Sequence, residues 1–193
     1  MRSVTPAPDR TLHRPAVGDP VAGAVVLHPH PAMGGDRDHP LVVALCERLA
    51  GERISALRID VADPDPVAAA GRMAAAASEL ARDEGVERIV LLGYSWGAVV
   101  AGSCAAPGVV GRVLVAPPAT MLAADPIEDD RPALVLVPAH DQYGPPDAVE
   151  RVFGDRPDTV IEVVEGTDHF LAGAIVRIAD RAVAWVTDVL AQG

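Results

Sequence analysis

The chain has 193 residues, enough for one domain with a sizeable core, and half of them are hydrophobic while only 3% are aromatic. Its formal net charge is −11, and its 16 basic residues, all arginine, are scattered singly. That distribution argues against a nucleic acid or an anionic lipid surface as partner.

Residues 1–20 are rich in proline and polar groups and read as a lead-in, with one edge strand near Leu12; residues 21–193 read as the domain proper. Nothing in the first stretch has the apolar core of a secretion signal, so the expected location is cytoplasmic. Val21–Leu27 is a continuous apolar run, the pattern of a strand buried on both faces. Leu41, Leu45 and Leu49 then recur at helical spacing, with Asp38 or His39 as cap, Pro40 in the first turn and Gly51 at the end. Ile54–Ile59 is a second strand. Asp65 and Pro66 start an alanine-rich helix to about Glu84, with Met73, Ala76, Ala77 and Leu80 on its buried face and Gly85 as its stop.

Arg88–Leu92 is a third strand, followed by a helix over Trp96–Ala106 that is apolar nearly all round. The uncharged run from Ile89 to Gly111 is long enough to span a bilayer, but Gly93, Gly97, Gly102, Pro107 and Gly108 interrupt it, and strand–turn–helix fits it better. Val109–Val115, Ala133–Val137 and Val160–Val164 complete about six strands, and Ala172–Leu190 is a closing amphipathic helix. Strands alternating with helices predict an α/β domain with a mostly parallel sheet covered on both faces, its functional loops at the strands' C-terminal ends. Cys46 and Cys104 lack CxxC spacing and lie in apolar helical stretches, so they read as buried thiols.

The sharpest motif is Gly93-Tyr94-Ser95-Trp96-Gly97, a G-x-S-x-G pattern directly after a strand and directly before a helix. Such a turn strains the serine and exposes its hydroxyl, and glycines on either side avoid collision with the neighbouring strand and helix. A serine hydroxyl is a weak nucleophile and needs a base. His169, in Gly166-Thr167-Asp168-His169-Phe170 after the last strand, is placed to serve. Asp141, after the Ala133–Val137 strand, can accept the base's second N–H; Asp125, Asp129 and Asp130 are its rivals, while Asp168 is too close in sequence to reach the ring.

The other notable motif is His28-Pro29-His30-Pro31-Ala32-Met33-Gly34-Gly35, after the first apolar strand. Pro29 and Pro31 have no N–H, so the His30 amide is the candidate partner of the Trp96 amide in an oxyanion hole. A proline-stiffened turn without catalytic role is the plainer reading. A metal site from His28, His30, Asp36 and His39 has suitable ligand types but matches no zinc spacing, and no metal is expected.

Together, H-P-H-P-x-x-G-G, G-Y-S-W-G and G-x-D-H-F resemble the small, lidless α/β-hydrolases near the dienelactone-hydrolase-like esterases, over roughly residues 20–190. The resemblance implies an α/β-hydrolase fold without a lid domain, a Ser95–His169–Asp141 triad, His30 and Trp96 as oxyanion donors, and no cofactor. Relatives carry an Arg-Gly-x-Gly-x-Ser type loop after the second strand, where this chain has the shorter, acidic Arg58-Ile59-Asp60-Val61-Ala62-Asp63-Pro64-Asp65-Pro66. Some use cysteine as nucleophile; here it is Ser95. The expected activity is hydrolysis of a small carboxylic ester or thioester in an open site, with Met121, Tyr143 and Phe170, besides Trp96, as candidate pocket walls. A catalytically silent scaffold that binds ligands, and an acyltransferase or peptidase on the same triad, are the alternatives. The oligomeric state is not legible.

Overall fold

A computed structural model describes residues 4–7, 9–122, 127 and 129–192. The described residues form one eight-stranded sheet in the order β1-β2-β4-β3-β5-β6-β7-β8. Its strands are β1 (Val4–Ala7), β2 (Arg10–His13), β3 (Ala22–Leu27), β4 (Ile54–Ile59), β5 (Ile89–Tyr94), β6 (Val109–Val115), β7 (Ala133–His140) and β8 (Thr159–Asp168). The helices are α1 (Pro40–Gly51), α2 (Pro66–Glu84), α3 (Trp96–Ser103), α4 (Pro146–Phe153) and α5 (Ile175–Ala191). From β4 to β8 every neighbouring pair is parallel, as expected of strands joined by helical crossovers.

Two of the eight strands lie in the proline-rich N-terminal stretch. β1 and β2 form an antiparallel hairpin, and β2 pairs antiparallel with β4. The strand near Leu12 exists, but Thr11 and His13 are its buried residues and Leu12 is only half-buried.

The central strands are relentless aliphatic runs because both of their faces are covered. One face packs against α2, α3 and α4, where Leu27, Met73, Leu80, Leu91 and Phe153 meet. The other packs against α1 and α5, where Val26, Leu45, Leu92, Ile178 and Trp185 meet. All four residues proposed for the buried face of α2 are buried, and its ends are those the sequence signals: Asp65 accepts the Ala68 N–H at 2.9 Å, and Gly85 takes φ 66°. His39, rather than Asp38, caps α1, its Nδ1 accepting the Leu41 N–H at 3.2 Å.

The differences from sequence expectation have local causes. α3 stops at Ser103 rather than running to Ala106, because Cys104 is extended and Pro107 follows. The fully buried Arg112 of β6 receives its end: its guanidinium donates to the Ala101 and Cys104 carbonyls and forks onto both carboxylate oxygens of Asp129. α4 is a short helix with no counterpart among the elements the sequence predicts, and β8 continues to Asp168, well past Val164.

Both cysteines are free and buried. Burial pushes the Cys46 thiol up to about 12 and that of Cys104 up to about 11, which leaves both protonated at neutral pH. Among the described residues no helix is long and apolar enough to cross a membrane.

The chain turns from β3 to β4 on one side and returns to β5 on the other. The strand order therefore reverses between β3 and β5, and the crevice at their C-terminal ends is where such sheets hold ligands. The H-P-H-P loop and the G-x-S-x-G turn emerge there, side by side.

Candidate active site

Ser95 links β5 to α3 with φ 56° and ψ −119°, a conformation costly for any residue with a side chain. The two glycines make this turn possible. A Cβ on Gly93 would stand 1.9 Å from the Gly97 carbonyl oxygen, and one on Gly97 would stand 2.4 Å from that of His28. Either contact is far inside van der Waals distance, so strand, turn and helix close only with hydrogen at both positions. The Ser95 N–H is anchored on the Val115 carbonyl at 2.8 Å.

The His169 Nε2 lies 2.9 Å from the Ser95 Oγ, and its Nδ1 lies 2.7 Å from the Asp141 Oδ2. A carboxylate at Nδ1 can only accept, so the ring proton sits there and Nε2 is left to accept from the serine hydroxyl. The other carboxylate oxygen, Asp141 Oδ1, accepts the Tyr143 and Gly144 N–H groups at 2.8 and 3.0 Å. Asp141 and His169 are both buried, which strengthens their interaction.

The rival acids are occupied elsewhere. Asp129 is held by Arg112 and Arg131; burial alone would raise its carboxyl, but these partners outweigh that and lower it. Asp130 is exposed and faces Arg156. Asp168 caps its own turn by accepting the Phe170 N–H at 3.0 Å. Asp125 lies outside the described residues.

Trp96 opens α3, so its N–H has no acceptor within the helix. His30 lies in the loop after β3, and its ring meets that of Trp96 edge to face with centroids 5.7 Å apart. Neither the His30 nor the Trp96 N–H donates a hydrogen bond to a described residue.

The sequence matches no family profile and no curated protein. Solved structures are similar over nearly the whole chain. An α/β serine hydrolase without a lid from Xanthomonas campestris has a TM-score of 0.71 at 18% identity, over 97% of this chain and 94% of that one. A serine hydrolase homologue from Coxiella burnetii has a TM-score of 0.74 at 18% identity, over 96% and 97%. Est1E from Butyrivibrio proteoclasticus, with ferulic acid bound, has a TM-score of 0.81 at 14% identity, over 95% of each chain.

This chain has the α/β-hydrolase fold.

Within that fold, a feature not read from the sequence ties the serine turn to the histidine loop. The Tyr94 hydroxyl, one residue before Ser95, donates to the main-chain carbonyl of His169 at 2.7 Å, and the bond is buried. Burial, then the nearby Asp141 and Asp168, raise the phenol well above its ordinary range, so it remains a donor. The loop it holds is tight: Leu171 has φ 61° with its side chain wholly buried. The motif gave Tyr94 only as a variable position, and its role depends on a partner 75 residues away.

Two of the expected pocket walls stand beside the His169 ring. The Tyr143 ring lies 4.7 Å and the Phe170 ring 5.8 Å from the His169 ring, both edge to face, and Phe170 is 63% exposed. Met121 ends a short 3₁₀ turn whose Thr120 bonds the Tyr143 carbonyl, and it is 74% exposed. The Trp96 side chain is buried instead, stacked near His28 with its Nε1–H on the Pro64 carbonyl at 3.2 Å.

The histidines weighed as metal ligands are spent on the main chain. His28 uses both ring nitrogens, while the Nδ1 atoms of His30 and His39 accept the Ala32 and Leu41 N–H groups. Asp36 accepts the Asp38 N–H. Among the described residues no group of three or more His, Cys, Asp or Glu side chains is arranged to hold a metal ion.

Proposed function

We propose that the chain is a serine hydrolase that cleaves a small carboxylic ester or thioester through an acyl-enzyme on Ser95. The observation that carries this reading is the continuous hydrogen-bonded line from Ser95 Oγ through His169 to Asp141, at 2.9 and 2.7 Å, rooted in a strained turn. Strain of this kind persists only where the surroundings enforce it, and it clusters at working sites.

In the proposed cycle, Ser95 Oγ attacks the substrate carbonyl and His169 Nε2 takes its proton. Asp141 holds the ring in the required tautomer and stabilises the imidazolium. The oxyanion is met by the His30 and Trp96 N–H groups, a contribution of about 10²–10³ in rate per donor. Collapse expels the alcohol or thiol, protonated by His169. Water, activated by His169 in turn, then attacks the acyl-enzyme and releases the acid with Ser95 restored. The open flank of exposed Phe170 and Met121 favours short or soluble acyl groups. The lidless serine hydrolase and the ferulic-acid-binding Est1E among its structural neighbours are consistent with that preference.

The test is labelling with a fluorophosphonate followed by mass mapping, together with turnover of p-nitrophenyl acetate. We expect the adduct on Ser95, and a loss of about 10⁴-fold or more in kcat for Ser95→Ala with an unchanged melting curve. No adduct would indicate a silent scaffold. Product diverted to an added alcohol or thiol would indicate a transferase, and full activity in Ser95→Ala would refute the assignment.

A further inference from the structure

We infer that His28 is a positioning residue for the oxyanion hole, acting by fixing and polarising the peptide unit that carries the His30 N–H. The inference rests on the hydrolase reading above, with His30 as an oxyanion donor.

His28 is almost wholly buried at the end of β3. Its Nε2 faces the Val61 N–H at 3.0 Å, and its Nδ1 faces the Pro29 carbonyl oxygen at 2.6 Å. The Val61 amide can only donate, so Nε2 is the unprotonated nitrogen and Nδ1 carries the proton. The ring is therefore neutral, accepting from the loop after β4 and donating to Pro29.

The Pro29 carbonyl and the His30 N–H are the two ends of one planar trans peptide unit and point in opposite directions. A bond that pins the oxygen therefore also aims the hydrogen. The same bond draws charge toward the carbonyl and makes the His30 N–H a better donor, by the polarisation that runs through chains of hydrogen bonds. The rest of the loop is shaped around this unit. The His30 carbonyl accepts from the Met33 and Gly35 N–H groups at 3.0 and 3.1 Å, which fixes the peptide on the other side of His30. A Cβ on Gly35 would stand 2.1 Å from the Pro29 oxygen, so only glycine leaves that oxygen where His28 reaches it.

His28 also ties two loops together through Val61, and a structural role alone predicts loss of stability without loss of turnover. Two substitutions separate the roles. In His28→Asn the side-chain amide can keep the donor to Pro29 but gives up the Val61 acceptor. In His28→Gln the amide oxygen can keep the Val61 acceptor but gives up the donor to Pro29.

The experiment measures kcat and KM for p-nitrophenyl acetate at a temperature where all three proteins are folded by circular dichroism. It also records the carbonyl stretch of a cinnamoyl acyl-enzyme by infrared difference. For His28→Gln we expect kcat to fall by about 10–10²-fold, short of losing a whole donor, with KM within about twofold. Its acyl carbonyl stretch should move to higher frequency. For His28→Asn we expect kcat within about fivefold of wild type, with the stretch unmoved. A Gln variant within twofold of wild type, or an Asn variant that falls as far as Gln, overturns the inference.

If neither variant folds, nuclear magnetic resonance of the wild type decides. A boronic acid adduct on Ser95 should move the His28 Nδ1 proton downfield, because an anionic oxygen on the His30 N–H makes the Pro29 carbonyl a stronger acceptor. An unmoved resonance in a formed adduct overturns it. A wild-type protein without esterase turnover would instead refute the hydrolase reading itself.

Discussion

Along β5, Ile89, Val90, Leu91 and Leu92 are wholly buried among aliphatic neighbours in a regular strand. Three residues further on, Ser95 holds φ 56°, and Ala116 at the end of β6 and Leu171 in the loop after β8 also have positive φ. The body of the sheet and the rim at its C-terminal ends thus differ in what secures them. The body relies on apolar area and volume, which many aliphatic sequences supply and which degrade gradually. The rim relies on individually placed bonds: Ser95 N–H on Val115, Tyr143 and Gly144 N–H on Asp141, the Tyr94 hydroxyl on His169, and His28 on Pro29 and Val61. The lesson is that damage to the body should appear as lost stability with turnover intact, and damage to the rim as lost turnover in a folded protein.

The largest expected effect tests the rim. Asp141→Asn can keep an oxygen for the Tyr143 and Gly144 N–H groups, but it turns an amide N–H₂ toward the His169 Nδ1 and so favours the wrong tautomer. We expect kcat about 10³–10⁴-fold lower with a near-normal melting temperature, by steady-state kinetics and calorimetry. Collapse of the fold would break the comparison. The next effect tests the body. Leu91→Ala, in the face shared with α2 and α3, should lower unfolding free energy by about 2–5 kcal/mol in urea titrations. Its kcat should be unchanged well below the melting temperature. The smallest sharpens the boundary. Tyr94→Phe removes one hydroxyl and leaves the buried His169 carbonyl unpaired, which should cost about 1–3 kcal/mol. Because that carbonyl belongs to the histidine loop, kcat should fall with it while KM holds; stability loss alone would assign Tyr94 to the body.

The same division explains what the sequence reveals. Strands β3 to β7 are legible because burial on both faces leaves largely aliphatic runs, and α2 because its caps and apolar spacing agree, whereas β8, at the sheet's edge and mostly unburied, shows only through Val160–Val164. β1 is hidden by Pro6, which argues against a strand in isolation, and β2 by burying Thr11 and His13 rather than Leu12. α4 is hidden by its brevity, with Ala148, Val149 and Phe153 as its only buried residues. At the rim, Ser95, Asp141 and His169 stand out by their place after strands, and folding brings them within hydrogen-bond distance. Tyr94 and His28 could not be read the same way. Each acts through a main-chain group of a distant loop or a neighbouring peptide plane, and neither relation leaves a mark in spacing.

The exclusive use of arginine looks like a compositional habit, but at position 112 it has a chemical consequence. Four acceptors on two segments converge there on one fully enclosed cation: two carbonyls from the end of α3 and two oxygens of Asp129. A planar fork with five fixed donors meets that set, whereas a lysine ammonium offers three donors from a single point. The basic positions on the surface could exchange one cation for the other with little consequence. This interior one cannot, because the far end of the helix that begins at the Ser95 turn is fastened by its geometry and not merely by its charge.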